Sequence, residues 1–424
     1  MLVMFRLKNY MSFREEAVLD LRAVSYKEMK GHVIQVGKNS VVKTLAIFGK
    51  NAGGKSNLIS ALYYFESFIL NQFFADGKEA KDRAGRMPDL QRSPFRLRTT
   101  VDDTSEFEII FVHGGNTYQY GFSVASDEEG KDSIEEEWLL FNDVTVFERK
   151  KLDVTAEKRY RKEIEKLKTV RQDRLFLGIL DYFSNGEVKT VVDGLKDYLK
   201  NGFNVHMEYY IESSVKGVLT NVSFSERLLK DESYRKVVES FVKNVDVDIT
   251  RLVVEEILPT REGEGRRYSI KTGHRVFDEE GKEAGEVLFD LSMESAGTLR
   301  YFSFIQYILS MLEQGGVFII DEISSRLHPI LTKFIVDLFQ SEKNDKAQLV
   351  FTTHDISFMD RKRLRRDEIA FVDKNEKGES SIYTLADIKI RSDASYAKDY
   401  LNGKYGAIPV VELGENKENE AFGG

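Results

Sequence analysis

The segment Gly49-Lys50-Asn51-Ala52-Gly53-Gly54-Lys55-Ser56 constrains this chain more than any other. An almost unbroken apolar stretch, Val41 to Phe48, leads into it and reads as a buried strand. Behind it Leu58, Leu62, Phe65 and Ile69 recur at spacings of 4, 3 and 4, the stripe of a helix packed on a sheet. Strand, glycine loop and helix, in that order, are the context in which G-x-x-x-x-G-K-[ST] binds phosphate. Glycines let backbone N–H groups close around phosphate oxygens, and the helix N-terminus adds its positive end. The pattern assigns Lys55 to the β- and γ-phosphates and Ser56 to Mg²⁺. A bland glycine turn would not need the flanking strand and helix.

The chain has 424 residues, 42% of them hydrophobic, enough for one large domain or two coupled ones. It has no Cys, which excludes disulfides, iron–sulfur clusters, thiolate zinc and a cysteine nucleophile, and fits a cytoplasmic location. Apolar runs such as Tyr301 to Leu312 fall short of the roughly 18 residues that span a bilayer, so no membrane partner is expected. A net charge of −8 gives no global attraction to nucleic acid, and any such contact must be local. The densest basic run, Arg361 to Arg366, suits a nucleic acid backbone or, as the favoured reading, a solvated turn before a strand.

Coarse patterning divides the chain into four parts. Residues 1–150 hold two opening strands, Met1 to Tyr10 and Ala17 to Val24, the glycine loop, and a period-two hairpin with Phe107, Ile109 and Phe111 facing Tyr118, Tyr120 and Phe122. Residues 151–245 read as a helical insertion, charge-dense at first. Residues 246–411 return to strands and helices, and 412–424 are polar and read as a flexible tail.

Two further segments carry chemistry. The apolar run Val317-Phe318-Ile319-Ile320 ends in Asp321-Glu322, and a buried strand delivering two carboxylates to its edge is costly unless a metal or a water uses them. Asp321 is assigned to Mg²⁺ and Glu322 to polarising the attacking water. Leu349-Val350-Phe351 then leads into Thr352-Thr353-His354-Asp355, which places His354 where a sensor of the γ-phosphate is expected.

The loop with Asn51 and Asn57, taken with the opening Phe5-Arg6-Leu7-Lys8-Asn9-Tyr10-Met11-Ser12-Phe13, resembles the SMC/RecF/OLD branch of ABC-type ATPases. Within it the chain is similar to the compact ATPases of bacterial abortive-infection and RloA-type phage-defence operons. The C-terminal Tyr400 to Pro409 stretch strengthens the likeness. The resemblance implies an α/β fold with a mixed central sheet, an antiparallel β subdomain and a helical insertion. It implies ATP and Mg²⁺ as ligands, and Gly49, Asn51, Gly53, Gly54, Lys55, Ser56 and Asn57 as the nucleotide-binding loop. It also implies a signature segment that contacts the nucleotide of a second protomer. Ser295 and Gly297, in Glu294-Ser295-Ala296-Gly297-Thr298, match it, although Ser295 alone reads as a helix cap. Gln91 is the nearest match to the glutamine that joins the metal shell. His328 stands where transporter ATPases carry an aspartate, a departure that the SMC-like defence ATPases tolerate as the Leu-His-Pro of Leu327-His328-Pro329.

These residues imply an ATPase acting as a homodimer closed by ATP, or as a higher oligomer. The phage-defence likeness makes it a sensor or scaffold whose trigger is a nucleic acid or a phage protein. Its effector, a nuclease or toxin, would be a partner chain encoded nearby, because the 70 residues after His354 are too few for an appended nuclease of the TOPRIM kind. The alternative is a DNA-repair ATPase that clamps duplex DNA. A transporter ATPase is disfavoured by the long interval between the glycine loop and Asp321.

Overall fold

The computed structural model describes residues 1–74, 91–100, 102–127, 129–167, 170–207, 221–257, 266–391 and 394–409. Its centre is a six-stranded sheet in which Phe203–His206, Gly316–Ile320, Ala347–Thr352, Thr44–Phe48 and Ile369–Lys374 lie side by side and parallel. Ser380–Thr384 closes one edge antiparallel. The central strands read as unbroken apolar runs because both of their faces are covered. Successive side chains alternate between two cores. Leu45, Ile47, Val317, Ile319, Val350, Ala370 and Val372 enter one of them. Ala46, Phe48, Phe318, Ile320, Leu349, Phe351, Ile369 and Phe371 enter the other.

The first core lies under a seven-stranded antiparallel sheet, in the order Asp153–Thr155, Val144–Lys150, Asp132–Phe141, Asn116–Ser126, Ser105–His113, Leu2–Lys8 and Ala17–Asp20. The helix Lys55–Phe74 fills the space between the sheets, with Phe65 against Phe5 and Phe122. The expected hairpin is part of this sheet, turning at Gly114 and Gly115, both left-handed. The second core is closed by the helices Ala296–Gln314, Pro329–Gln340, Val222–Lys230 and Glu232–Val242. A three-stranded sheet, Ile249–Ile257, Arg267–Phe277 and Glu283–Asp290, stands beside them. The architecture is the expected α/β fold with a mixed central sheet and an antiparallel subdomain.

Two expectations are refined. The run Val41 to Phe48 is not one strand, because Lys43 turns its ammonium out to the Ser341 carbonyl at 2.8 Å. Asn39–Val42 therefore pairs with Val33–Val36 in a small hairpin, and Thr44–Phe48 alone enters the central sheet. Within 151–245 the described residues are mostly helical, but Asp153–Thr155 belongs to the antiparallel sheet and Phe203–His206 supplies an edge strand of the central sheet. Four residues are too few to show a period. What admits the strand is Gly316, where any Cβ would overlap the Gly202 carbonyl. The tail, 412–424, lies outside the described residues.

Candidate functional site

Three parallel strands end at the same edge of the central sheet, and each delivers one part of the site. Thr44–Phe48 runs into the glycine loop, whose first helical residue is Lys55. Neighbouring backbone leaves no room for side chains at the glycines. A Cβ on Gly49 would overlap the Val372 carbonyl oxygen, and one on Gly53 would lie 3.0 Å from both the Lys50 and Val372 carbonyls. Gly54 has φ +116 and Ala52 φ 59, so the loop curls tightly, with the Gly53 N–H donating to the Lys50 carbonyl at 3.0 Å, a turn of the kind that can make an anion-binding concavity.

Lys55 folds back into that concavity. Its ammonium donates to the Gly49 carbonyl at 2.8 Å and to Nε2 of His354 at 3.0 Å. Burial pulls its pKa below the ordinary lysine value, while Glu322 and Asp321 pull it back up. A cation held by a carbonyl and a histidine nitrogen is set to exchange them for phosphate oxygens.

Gly316–Ile320 delivers Asp321, which is buried, and Glu322. Ser56 faces Asp321 with Oγ 3.4 Å from Oδ1, and Thr352 Oγ1, at the end of the third strand, donates to the same oxygen at 2.8 Å. Two hard oxygens thus face each other at the mouth of the loop. They suit a Mg²⁺ ion that completes its shell with water and phosphate oxygens. Among the described residues there is no cluster of three or more His, Asp or Glu able to cage a metal without such help.

Glu322 is left-handed, with φ 51. Its N–H donates to Thr352 Oγ1 at 2.7 Å, and its carboxylate Oε2 lies 3.9 Å from Nε2 of His354. The structure therefore brings Lys55, Ser56, Asp321, Glu322 and His354 together. A left-handed non-glycine residue holding a carboxylate beside a histidine is the kind of strain that collects at reactive centres.

The remaining sequence candidates lie elsewhere. Asn57 donates to Ser12 Oγ at 2.7 Å and so braces the loop from behind. Asn51 is exposed on the loop. Ser295 caps the helix Ala296–Gln314, accepting from the Thr298 N–H at 3.1 Å, and is exposed. Gly297 lets this helix approach the loop after Glu322, because a Cβ there would lie 2.9 Å from the Arg326 carbonyl. No described contact joins Ser295 or Gly297 to the glycine loop of the same chain. Gln91 is exposed, and its neighbour Arg92 is held by Asp103 and Asp132. No described contact joins Gln91 to Ser56 or Asp321. His328 caps the helix Pro329–Gln340, its Nδ1 accepting from the Ile330 N–H at 3.3 Å. In the basic run Arg363 pairs with Asp337 near the surface, whereas Arg365 is buried and pairs with Asp367, so at that end the run is a structural tie and not the expected solvated turn.

Three contributors escaped sequence reasoning. Thr352 serves both Asp321 and Glu322, and only its place after an apolar strand hinted at it. Ser380 Oγ lies 2.8 Å from both the Gly53 carbonyl and Ser12 Oγ, closing a brace around the loop that spans the whole chain. Arg300, fully buried on the signature helix, donates to the Glu322 carbonyl at 2.6 Å and reaches the Asp321 carbonyl at 3.4 Å. No short motif marks the last two.

Residues 45–360, most of the chain, match the family described as "AAA domain, putative AbiEii toxin, Type IV TA system". Among solved structures, an SMC head bound to the C-winged helix domain of ScpA is 14% identical, with 90% of this chain and 97% of that one covered at a TM-score of 0.45. The SMC head domain from Thermotoga maritima is also 14% identical, with 92% and 99% covered at a TM-score of 0.41. No curated protein matches the chain.

Proposed function

We propose a function for a chain that belongs to this AAA domain family: it binds ATP with Mg²⁺, hydrolyses it across a homodimer, and uses the cycle as a switch in anti-phage defence. The observation that carries the ATPase reading is the meeting of Lys55, Ser56, Asp321, Glu322 and His354 at one sheet edge. Bound Mg²⁺, held by Ser56 and Asp321, would neutralise charge on the phosphates. Lys55 leaves the Gly49 carbonyl for the β- and γ-oxygens. Glu322 accepts a proton from the attacking water, and His354, within reach of both Lys55 and Glu322, orients the γ-phosphate side of the site.

The defence role is supported by the family description, which speaks of an abortive-infection toxin in a type IV toxin–antitoxin system. On this reading the chain is one half of a module, and a partner chain, nuclease or toxin, is released or recruited when ATP closes the dimer. The DNA-clamp alternative is weakened because Arg363 and Arg365 spend their charge on Asp337 and Asp367. Among the described residues no helix is long and apolar enough to cross a membrane.

The test is Glu322→Gln, which keeps shape and removes the proton acceptor. ATP and Mg²⁺ should bind as before while turnover falls about 10²- to 10⁴-fold, the usual cost of losing a general base. Hydrolysis at the parental rate would remove Glu322 from the mechanism.

A further inference from the structure

The signature helix does more than present Ser295. Its fifth residue, Arg300, is fully buried, lies 5.2 Å from the Phe304 ring, and aims its guanidinium at the turn that carries the two carboxylates. Nη2 donates to the Glu322 carbonyl at 2.6 Å and lies 3.4 Å from the Asp321 carbonyl. That turn is a strained part of the site, since Glu322 is held at φ 51 by three grips on its backbone. Thr352 takes its N–H, while Arg300, at 2.6 Å, and the Ser325 N–H, at 3.0 Å, both donate to its carbonyl.

A left-handed non-glycine residue is strained and persists only where its surroundings impose it. Arg300 sits about 7.5 Å along the helix axis from the Ser295 cap, at 1.5 Å per residue. Gly297 packs against the Arg326 carbonyl on the far side of the same turn. The start of the helix and the Glu322 turn are therefore in contact at both ends.

We propose that Arg300 is a positioning residue that couples the signature segment to Glu322, so that a nucleotide engaged at Ser295 sets the backbone of the opposite, hydrolytic residue in the same chain. This rests on the reading of Glu322 as the general base. It adds a mode of regulation: each chain's water-activating carboxylate is aligned only when that chain's signature helix is seated on its partner's nucleotide. Arg300 acts through the Glu322 backbone and not on the reacting groups.

The experiment compares steady-state ATPase kinetics and Mg·ATP affinity of the full-length parent, Arg300→Met, Arg300→Lys, Glu322→Gln and the double variant Arg300→Met with Glu322→Gln. A displacement near 1 Å at a reacting group costs about 10²-fold. Arg300→Met should therefore lower kcat by about that factor while Mg·ATP affinity stays within threefold. Arg300→Lys, which keeps one donor for the carbonyl, should recover part of the loss. Because Arg300 acts through Glu322, adding Arg300→Met to Glu322→Gln should lower kcat no further, whereas independent effects would multiply. If Arg300→Met does not fold, Arg300→Lys, alone and combined with Glu322→Gln, carries the same comparison. A parental kcat in a folded Arg300 variant, or a multiplicative loss in the double variant, overturns the coupling while a slow Glu322→Gln still supports the base. A parental rate in Glu322→Gln itself overturns the base assignment and the coupling together.

Discussion

Replacing Gly54 by Ala tests whether the loop is built by its backbone or merely tolerated by it. Gly54 has φ +116, a conformation that L side chains rarely adopt, and an added Cβ would overlap Ser380 Oγ and lie 3.0 Å from Ser12 Oγ. Forcing a side chain into that backbone costs about 1–3 kcal/mol. Pushing Ser380 off the Gly53 carbonyl removes a buried hydrogen bond worth about 0.5–1.5 kcal/mol. The total is about 1.5–4.5 kcal/mol, and it must appear in one of two places. If the loop keeps its shape, the fold loses that amount, visible as a lower urea midpoint. If the loop relaxes, the fold is spared and the same free energy is charged to ATP binding, which weakens by about 10- to 10³-fold at 1.4 kcal/mol per decade. Urea denaturation and calorimetric titration of Mg·ATP on the same preparation measure both shares. Ser380→Gly alone removes the same hydrogen bond, so adding it to Gly54→Ala should bring little further loss and leave the part due to φ. Unchanged stability together with unchanged affinity in Gly54→Ala would refute the view that this backbone shape makes the phosphate site.

Other outcomes follow from the same geometry. Lys55→Ala should abolish tight ATP binding, because it removes the cation directed at the phosphates, and a folded variant with parental affinity would contradict the loop assignment. Mixing Lys55→Ala chains with Ser295→Arg chains should restore part of the ATPase activity that each lacks alone, since one composite site of the heterodimer is then intact; proven heterodimers without activity would argue against a signature acting across the interface. His206 is sealed among Phe304, Tyr307 and Phe318, and burial, assisted by Arg300, lowers its pKa from 6.5 to about 3. It is neutral when folded and takes a proton only when unfolded, so its contribution is present above pH 6.5 and is lost as pH falls from there towards 3. Between pH 7 and 5 that loss is about 2 kcal/mol. Urea midpoints of His206→Phe should fall by correspondingly less than those of the parent over that interval, and parallel curves would show that His206 is not the group responsible.

Much of the site was legible because its parts are local. The glycine loop needs its glycines, lysine and serine on consecutive positions, and Asp321-Glu322 and His354 each follow an apolar strand, so order along the chain declared them. The resemblance to SMC, RecF and OLD ATPases rested on the glycine loop and the opening Phe5 to Phe13, and the match over residues 45–360 bears out an AAA domain family. The central strands were legible too, since being buried on both faces leaves no polar period to confuse the reading.

What only tertiary structure decided depends on contacts between residues far apart in sequence. Phe203–His206 becomes a sheet strand because Gly202 fits against Gly316, not because four residues state a preference. Ser12 and Ser380 brace the loop from opposite ends of the chain, and a serine hydroxyl leaves no mark in sequence of which carbonyl it will meet. Arg300 is the sharpest case. On a helix that is otherwise largely apolar an arginine reads as a break in the buried stripe, yet it is fully buried, where the Asp321–Glu322 turn offers two carbonyl oxygens to its Nη2. Sequence names the groups that react. The pairing of distant backbone with buried side chains decides how those groups are held.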